Sequence, residues 1–135
     1  MPAGDSRRAF AAAIALCAAL AVYGVAPFRM APAPAAFQWI PFEALVGSDA
    51  EMILPVLLRK IFRYGALLWL LRACALKYPV AAALAAAFVA LVEIAQIHVA
   101  GHIAELTDPL LVVMLALVLA AFERLNRELS GAQSS

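Results

Sequence analysis

Charge is scarce in this chain. Of its 135 residues only 14% are Asp, Glu, Lys or Arg, against about 25% in an average soluble domain, while 67% are hydrophobic against about 45–50%. The formal net charge of +1, with no interleaving of basic and aromatic residues, gives no field or pattern suited to nucleic acid. Cysteine is limited to Cys17 and Cys74, both in or beside apolar runs. There is no CxxC, no His/Cys spacing suited to zinc and no disulfide framework, so both read as small packing residues. Leu16 stands before Cys17 where a lipoprotein signal wants a small residue. A nucleophile motif, a metal box and a phosphate-binding loop are also missing, which argues against catalysis and leaves no cofactor or metal implied. The length permits one domain, residues 1–135. What the chain has instead is nearly continuous apolar sequence and a mean hydropathy of +0.95. It reads as an all-α integral membrane protein.

Four spans parse the sequence, at about 9–26, 55–76, 79–99 and 108–125. The first is stopped by Pro27 and preceded by Arg7 and Arg8. A cleaved signal peptide is the alternative, with small residues at 31–36, but 18 apolar residues exceed the ~7–15 of a signal core. Residues 27–52 form a Pro/Ala-rich segment whose four prolines preclude a long helix. Phe37, Trp39 and Phe42 suit the membrane interface, so this segment is expected along or partly in the membrane surface. The second span starts at Pro55, a first-turn residue. Arg59, Lys60 and Arg63 in its first third form one broad basic face. The third, Pro79–Val99, contains no Lys or Arg, and its 21 residues reach about 31 Å at ~1.5 Å per residue. Thr107-Asp108-Pro109 opens the fourth with a cap and a first-turn proline, and that helix should continue past Phe122 with Arg124 reaching the interface.

Lys and Arg in the loops set the orientation. With the N-terminus inside, Arg7, Arg8, Arg72, Lys77, Arg124 and Arg127 are cytoplasmic, against Arg29, Arg59, Lys60 and Arg63 outside. Both termini are therefore expected in the cytoplasm. A polar cluster follows from 93 to 108: Glu93, Gln96, His98, His102, Glu105, Thr107 and Asp108. The three basics of the second span then reach the same membrane depth as Glu93, Gln96, His102, Glu105 and Asp108, where opposite charges offset one another's insertion cost. Glu93 and Gln96 share a helix face, continued roughly by Val89, Ala86 and Ala82. Gly101 is expected in a left-handed conformation that ends the helix, which separates His98 from His102 and disfavours a metal site. The cluster reads either as a hydrogen-bonded clamp between helices or as a pocket for a polar or phosphorylated headgroup. Ionisable residues within a membrane favour function by default.

These residues resemble the signature of VanZ-like membrane proteins. Glu93-x-x-Gln96, then Gly101-His102, Glu105 and Asp108, follow the family's E-x-x-Q, G-R, acidic residue and second Asp. Trp39-Ile40-Pro41-Phe42 looks like its Pro-Phe segment, and Phe62 to Gly65 occupies the place of its F-x-P-x-G. The resemblance covers about residues 38–120 and is most specific at 93–108. His102 stands where the family has Arg, Arg63-Tyr64 interrupts the Pro-Gly motif, and Val112 and Leu115 replace a typical Asn and Gly. The resemblance implies a multi-pass protein of the bacterial inner membrane with a cell-envelope role, such as glycopeptide (teicoplanin) sensitivity or surface-polysaccharide systems, and no defined reaction.

The expected site is thus Arg59, Lys60 and Arg63 opposite Glu93, Gln96, His102, Glu105 and Asp108, facing outward. It would bind an anionic lipid or lipid-linked glycan, the basics holding phosphate and the acids and Gln96 orienting them or reading hydroxyls. A non-catalytic helper of a larger envelope complex is a second reading, its small-residue faces at 81–87 and 116–121 packing on a partner. A membrane enzyme acting on a lipid headgroup, with Glu93 or His102 as base, is the third.

Overall fold

The computed structural model describes residues 3–42 and 50–132, and these are all-helical. Four helices follow in order: α1 (Ala3–Val25), α2 (Ala50–Ala73), α3 (Tyr78–Gln96) and α4 (Thr107–Ala132). Two of them, α1 over Asp5–Val25 and α3 over Tyr78–Gln96, are long and apolar enough to cross a membrane. Arg59, Lys60 and Arg63 keep α2 below that mark.

The helix ends differ from the sequence reading in physically simple ways. Pro55 lies inside α2, which begins five residues earlier at Ala50 with Glu51 in its first turn. The apolar run before the proline is itself helix-forming, so α2 takes in the end of the expected interfacial segment. Helix α3 opens as expected, with Lys77 in extended backbone and Pro79 in the first turn, but stops at Gln96 rather than Val99. Helix α4 opens at Thr107 with Asp108 in its first turn, where a carboxylate opposes the positive end of the helix dipole, and runs on to Ala132. Gly101 has φ +83°, the left-handed conformation its position predicts, in the connection beyond α3.

The helices form a ring in the order α1–α2–α4–α3, with α2 and α3 also touching across it. Leu67 and Leu68 of α2, Ala81, Ala85 and Val89 of α3, and Leu111, Val112 and Ala116 of α4 are buried together, with Leu16, Cys17 and Leu20 of α1 packed against them. The buried stripe of α3 is Ala81, Ala85, Val89 and Glu93, a run of i, i+4 positions. Ala82 and Ala86 are only half-buried beside it. Large apolar side chains meanwhile point outward from every helix, Phe10, Phe62, Trp69, Leu91, Leu117 and Phe122 among them.

Residues 27–42, the described part of the Pro/Ala-rich segment, lie against the α3–α4 connection; residues 43–49 fall outside the described residues. Ala31 N–H donates to the His98 carbonyl at 2.9 Å, Ala35 N–H to Ile97 at 2.8 Å and Gln38 N–H to Ala104 at 2.9 Å. In return Ala100 N–H donates to Arg29 at 2.8 Å and Leu106 N–H to Gln38 at 3.1 Å. The α1–α2 and α3–α4 connections are thereby joined through their backbones, with Phe37 and Trp39 packed ring to ring at 4.8 Å.

Candidate functional site

Beneath these joined connections the sequence places its polar residues on facing helices. Lys60 and Tyr64 are one turn apart on α2, so both side chains leave the same face. Lys60 Nζ donates to Glu105 Oε1 at 2.7 Å and to Asp108 Oδ1, and the Tyr64 hydroxyl donates to Asp108 Oδ2. The Glu93 Oε2 of α3 accepts the backbone N–H of Glu105 at 2.8 Å. Thr107 does not cap α4 with its hydroxyl. It donates to Glu105 Oε2 at 3.0 Å and accepts the Phe42 N–H at 2.8 Å. Gln96 Nε2 donates to the Gly24 carbonyl at 3.0 Å, and His102 Nε2 lies 2.5 Å from the Ala26 carbonyl. A carbonyl only accepts, so that ring nitrogen carries the proton.

Between α1, α2, α3 and the start of α4 this network borders a cavity of about 220 Å³. Seven of the eight site residues expected from sequence line it: Lys60, Arg63, Glu93, Gln96, His102, Glu105 and Asp108. Arg59 does not. The single basic face expected on α2 is divided in two. Lys60 turns inward to the acids of α4 and its preceding loop, while Arg63 lies 4.2 Å over the Tyr23 ring of α1 with Arg59 beside the same phenol. The reason is helical geometry: consecutive residues point about 100° apart, so Arg59/Arg63 and Lys60/Tyr64 form neighbouring stripes.

Three carboxyl groups therefore face Lys60 and Arg63. Glu105 and Asp108 hold Lys60 between them, which leaves one of its three N–H donors over. Glu93 is 4% exposed, and only Oε2 of its two oxygens has a hydrogen-bond partner among the described residues. Among the described residues no serine, threonine or cysteine lines the cavity. Among the described residues no three His, Cys, Asp or Glu side chains are grouped as a metal site requires. His98 is exposed near Phe28 and Met30, apart from the cavity.

Sequence reasoning passed over Tyr64, Tyr23 and Gly24. Tyr64 had a signal, a phenol one turn from Lys60 in an apolar run. Gly24 had none, because its need arises from α3: a Cβ there would come 2.6 Å from Val92 Cγ1 and 3.3 Å from Gln96 Nε2. Compared with known protein families, curated proteins and solved structures, the chain matches none.

Proposed function

We propose that this chain is a four-helix, VanZ-like protein of the bacterial inner membrane that holds the polar headgroup of a lipid-linked glycan in the cavity between α1, α2 and α3. Membrane insertion of all four helices is supported by the arrangement of polarity. Glu93, Glu105 and Asp108 are buried while Phe62 is 78% exposed, the reverse of what water favours. The Lys and Arg distribution supports cytoplasmic termini and an outward-facing cavity.

Glu93 is the observation that carries the ligand assignment. A nearly enclosed carboxylate with an unengaged oxygen facing a polar cavity is suited to accept from ligand hydroxyls. Phosphate falls to Arg63, because Lys60 is already held by two acids. The cavity is below the ~300 Å³ of drug-sized pockets, which fits a headgroup whose lipid stays in the bilayer. A simple anionic lipid leaves Glu93 without a role. For the helper-subunit reading, Ala81, Ala85 and Ala116 are buried inside this bundle, which leaves the exposed Ala83, Ala87 and Ala121 to meet a partner.

Glu93→Gln tests the reading, since glutamine can still accept the Glu105 N–H. Binding of a polyprenyl-phosphate-linked sugar to the purified chain should weaken at least ten-fold, with membrane abundance and thermal stability unchanged. Equal binding of polyprenyl phosphate with and without its sugar refutes the glycan assignment. Loss of the protein from the membrane on Glu93→Gln makes the cluster a structural clamp.

A further inference from the structure

A second cleft, of about 460 Å³, lies at the other end of the bundle between α3 and α4. Asp108 and Glu123 are 15 residues apart on α4, so the two sites are separated by roughly 22 Å along the helix axis. The cleft is graded along its length. Val113, Ala116, Leu117, Ala120, Arg124 and Arg127 of α4 line it at i, i+3 and i+4 spacings, so one helix face passes from apolar to cationic over roughly 21 Å. Ala82 of α3 lines the opposite wall, and the small side chains keep the groove open.

At the cationic end Arg72, Lys77, Arg124 and Arg127 face a single carboxylate, Glu123. Arg72 is fixed: its guanidinium lies 3.0 Å from Glu123 Oε2, donates to the Leu76 carbonyl at 2.5 Å and covers the Tyr78 ring at 4.2 Å. Arg127 approaches Glu123 Oε1 at 3.9 Å. The side chains of Lys77 and Arg124 have no ion-pair or hydrogen-bond partner among the described residues. Positive loops are ordinary on a cytoplasmic face. A cation cluster that ends one apolar groove between two helices is a more specific arrangement.

We infer that this cleft seats one anionic phospholipid of the cytoplasmic leaflet, its phosphate between Lys77 and Arg124 beside the oriented Arg72, and an acyl chain along Ala82, Ala116, Ala120 and Val113. Charge complementarity selects the anionic headgroup, and the apolar floor selects a lipid over a soluble phosphate. The inference rests on the membrane reading of the chain and is independent of the ligand at Glu93.

The test is native mass spectrometry of the detergent-purified full chain with phosphatidylglycerol, phosphatidylcholine or glycerol 1-phosphate. Phosphatidylglycerol should be retained at a stoichiometry of one, phosphatidylcholine should be lost at the same collision energy, and glycerol 1-phosphate should not compete. Lys77→Ala with Arg124→Ala should weaken retention about thirty-fold, on the scale of two surface cations. Neither side chain has an internal partner, so the melting temperature should hold. Ala120→Phe fills the groove with every charge in place and should also weaken retention at least ten-fold, whereas Glu93→Gln should leave it unchanged. Equal retention of the two phospholipids, wild-type binding by Ala120→Phe, or competition by glycerol 1-phosphate each overturns the inference. Carbonate extraction separates the two failures. A chain released into the aqueous fraction refutes the membrane reading, and an embedded chain without lipid preference refutes this site alone.

Discussion

Lys60 ties α2 to the second half of the chain, and its removal tests the polar network most directly. The ammonium lies 2.7 Å from Glu105 and also bonds Asp108, with the lysine side chain 22% exposed and both acids 10%. Methionine keeps the stem and deletes the charge, so Lys60→Met leaves two enclosed carboxylates facing each other. Breaking a buried ion pair by removing one partner costs about 3–5 kcal/mol, and the partial exposure of Lys60 puts this case near the lower end. At about 4 °C per kcal/mol for a chain of this size, the melting temperature should fall by about 12 °C. Asp108→Asn still accepts from Tyr64 and removes one of the two stranded charges. The double variant should therefore be more stable than the sum of the single effects predicts, by about 1–2 kcal/mol. Thermal unfolding in detergent, followed by circular dichroism, reads all four corners of this cycle. Additivity within about 0.5 kcal/mol refutes the coupling, and a Lys60→Met protein melting with wild type refutes the network as a source of stability.

Two glycine substitutions separate space from conformation. Gly24→Ala forces a Cβ to within 2.6 Å of Val92 and should push α1 from α3 at a cost of about 1–3 kcal/mol, seen as a lower melting temperature together with loss of ligand binding at the cavity. Gly101→Ala meets nothing within 4 Å but holds φ +83°, so it should cost about 1–2 kcal/mol, with much of that recovered by Gly101→Asn in the same melt.

Much of the fold could be read locally. An acid and an amide in the run 79–99 mark the polar cluster, Pro79 and Thr107-Asp108-Pro109 mark where helices begin, and Gly101 marks a left-handed turn. Pro55 misled because a proline tolerated in a first turn does not require one, and the residues before it extend the same helix back to Ala50. The site was legible as a composition but not as a set of pairings. Choosing Lys60 over Arg59 as the partner of Asp108 depends on how α2 is rotated in the bundle, which its own sequence barely constrains. Tyr64, read as an interruption of a motif, became an Asp108 partner for the same reason. The docking of residues 29–38 on 97–106 uses backbone groups that every residue carries, so no side-chain pattern announces it.

The division of the network between the two halves of the chain bears on how such a protein is made. Lys60 to Glu105 and Asp108, Tyr64 to Asp108, Gly24 to Gln96, Ala26 to His102 and Phe42 to Thr107 each join residues 1–76 to residues 77–135. On the membrane reading, α1 and α2 emerge from the ribosome before any of these partners exists. A lysine at mid-helix then weighs against insertion by about 2.5–3.5 kcal/mol. The polarity that keeps α2 from qualifying as a span alone is offset only when α3 and α4 arrive. On the same reading the first hairpin is a provisional membrane segment that synthesis of the second makes permanent.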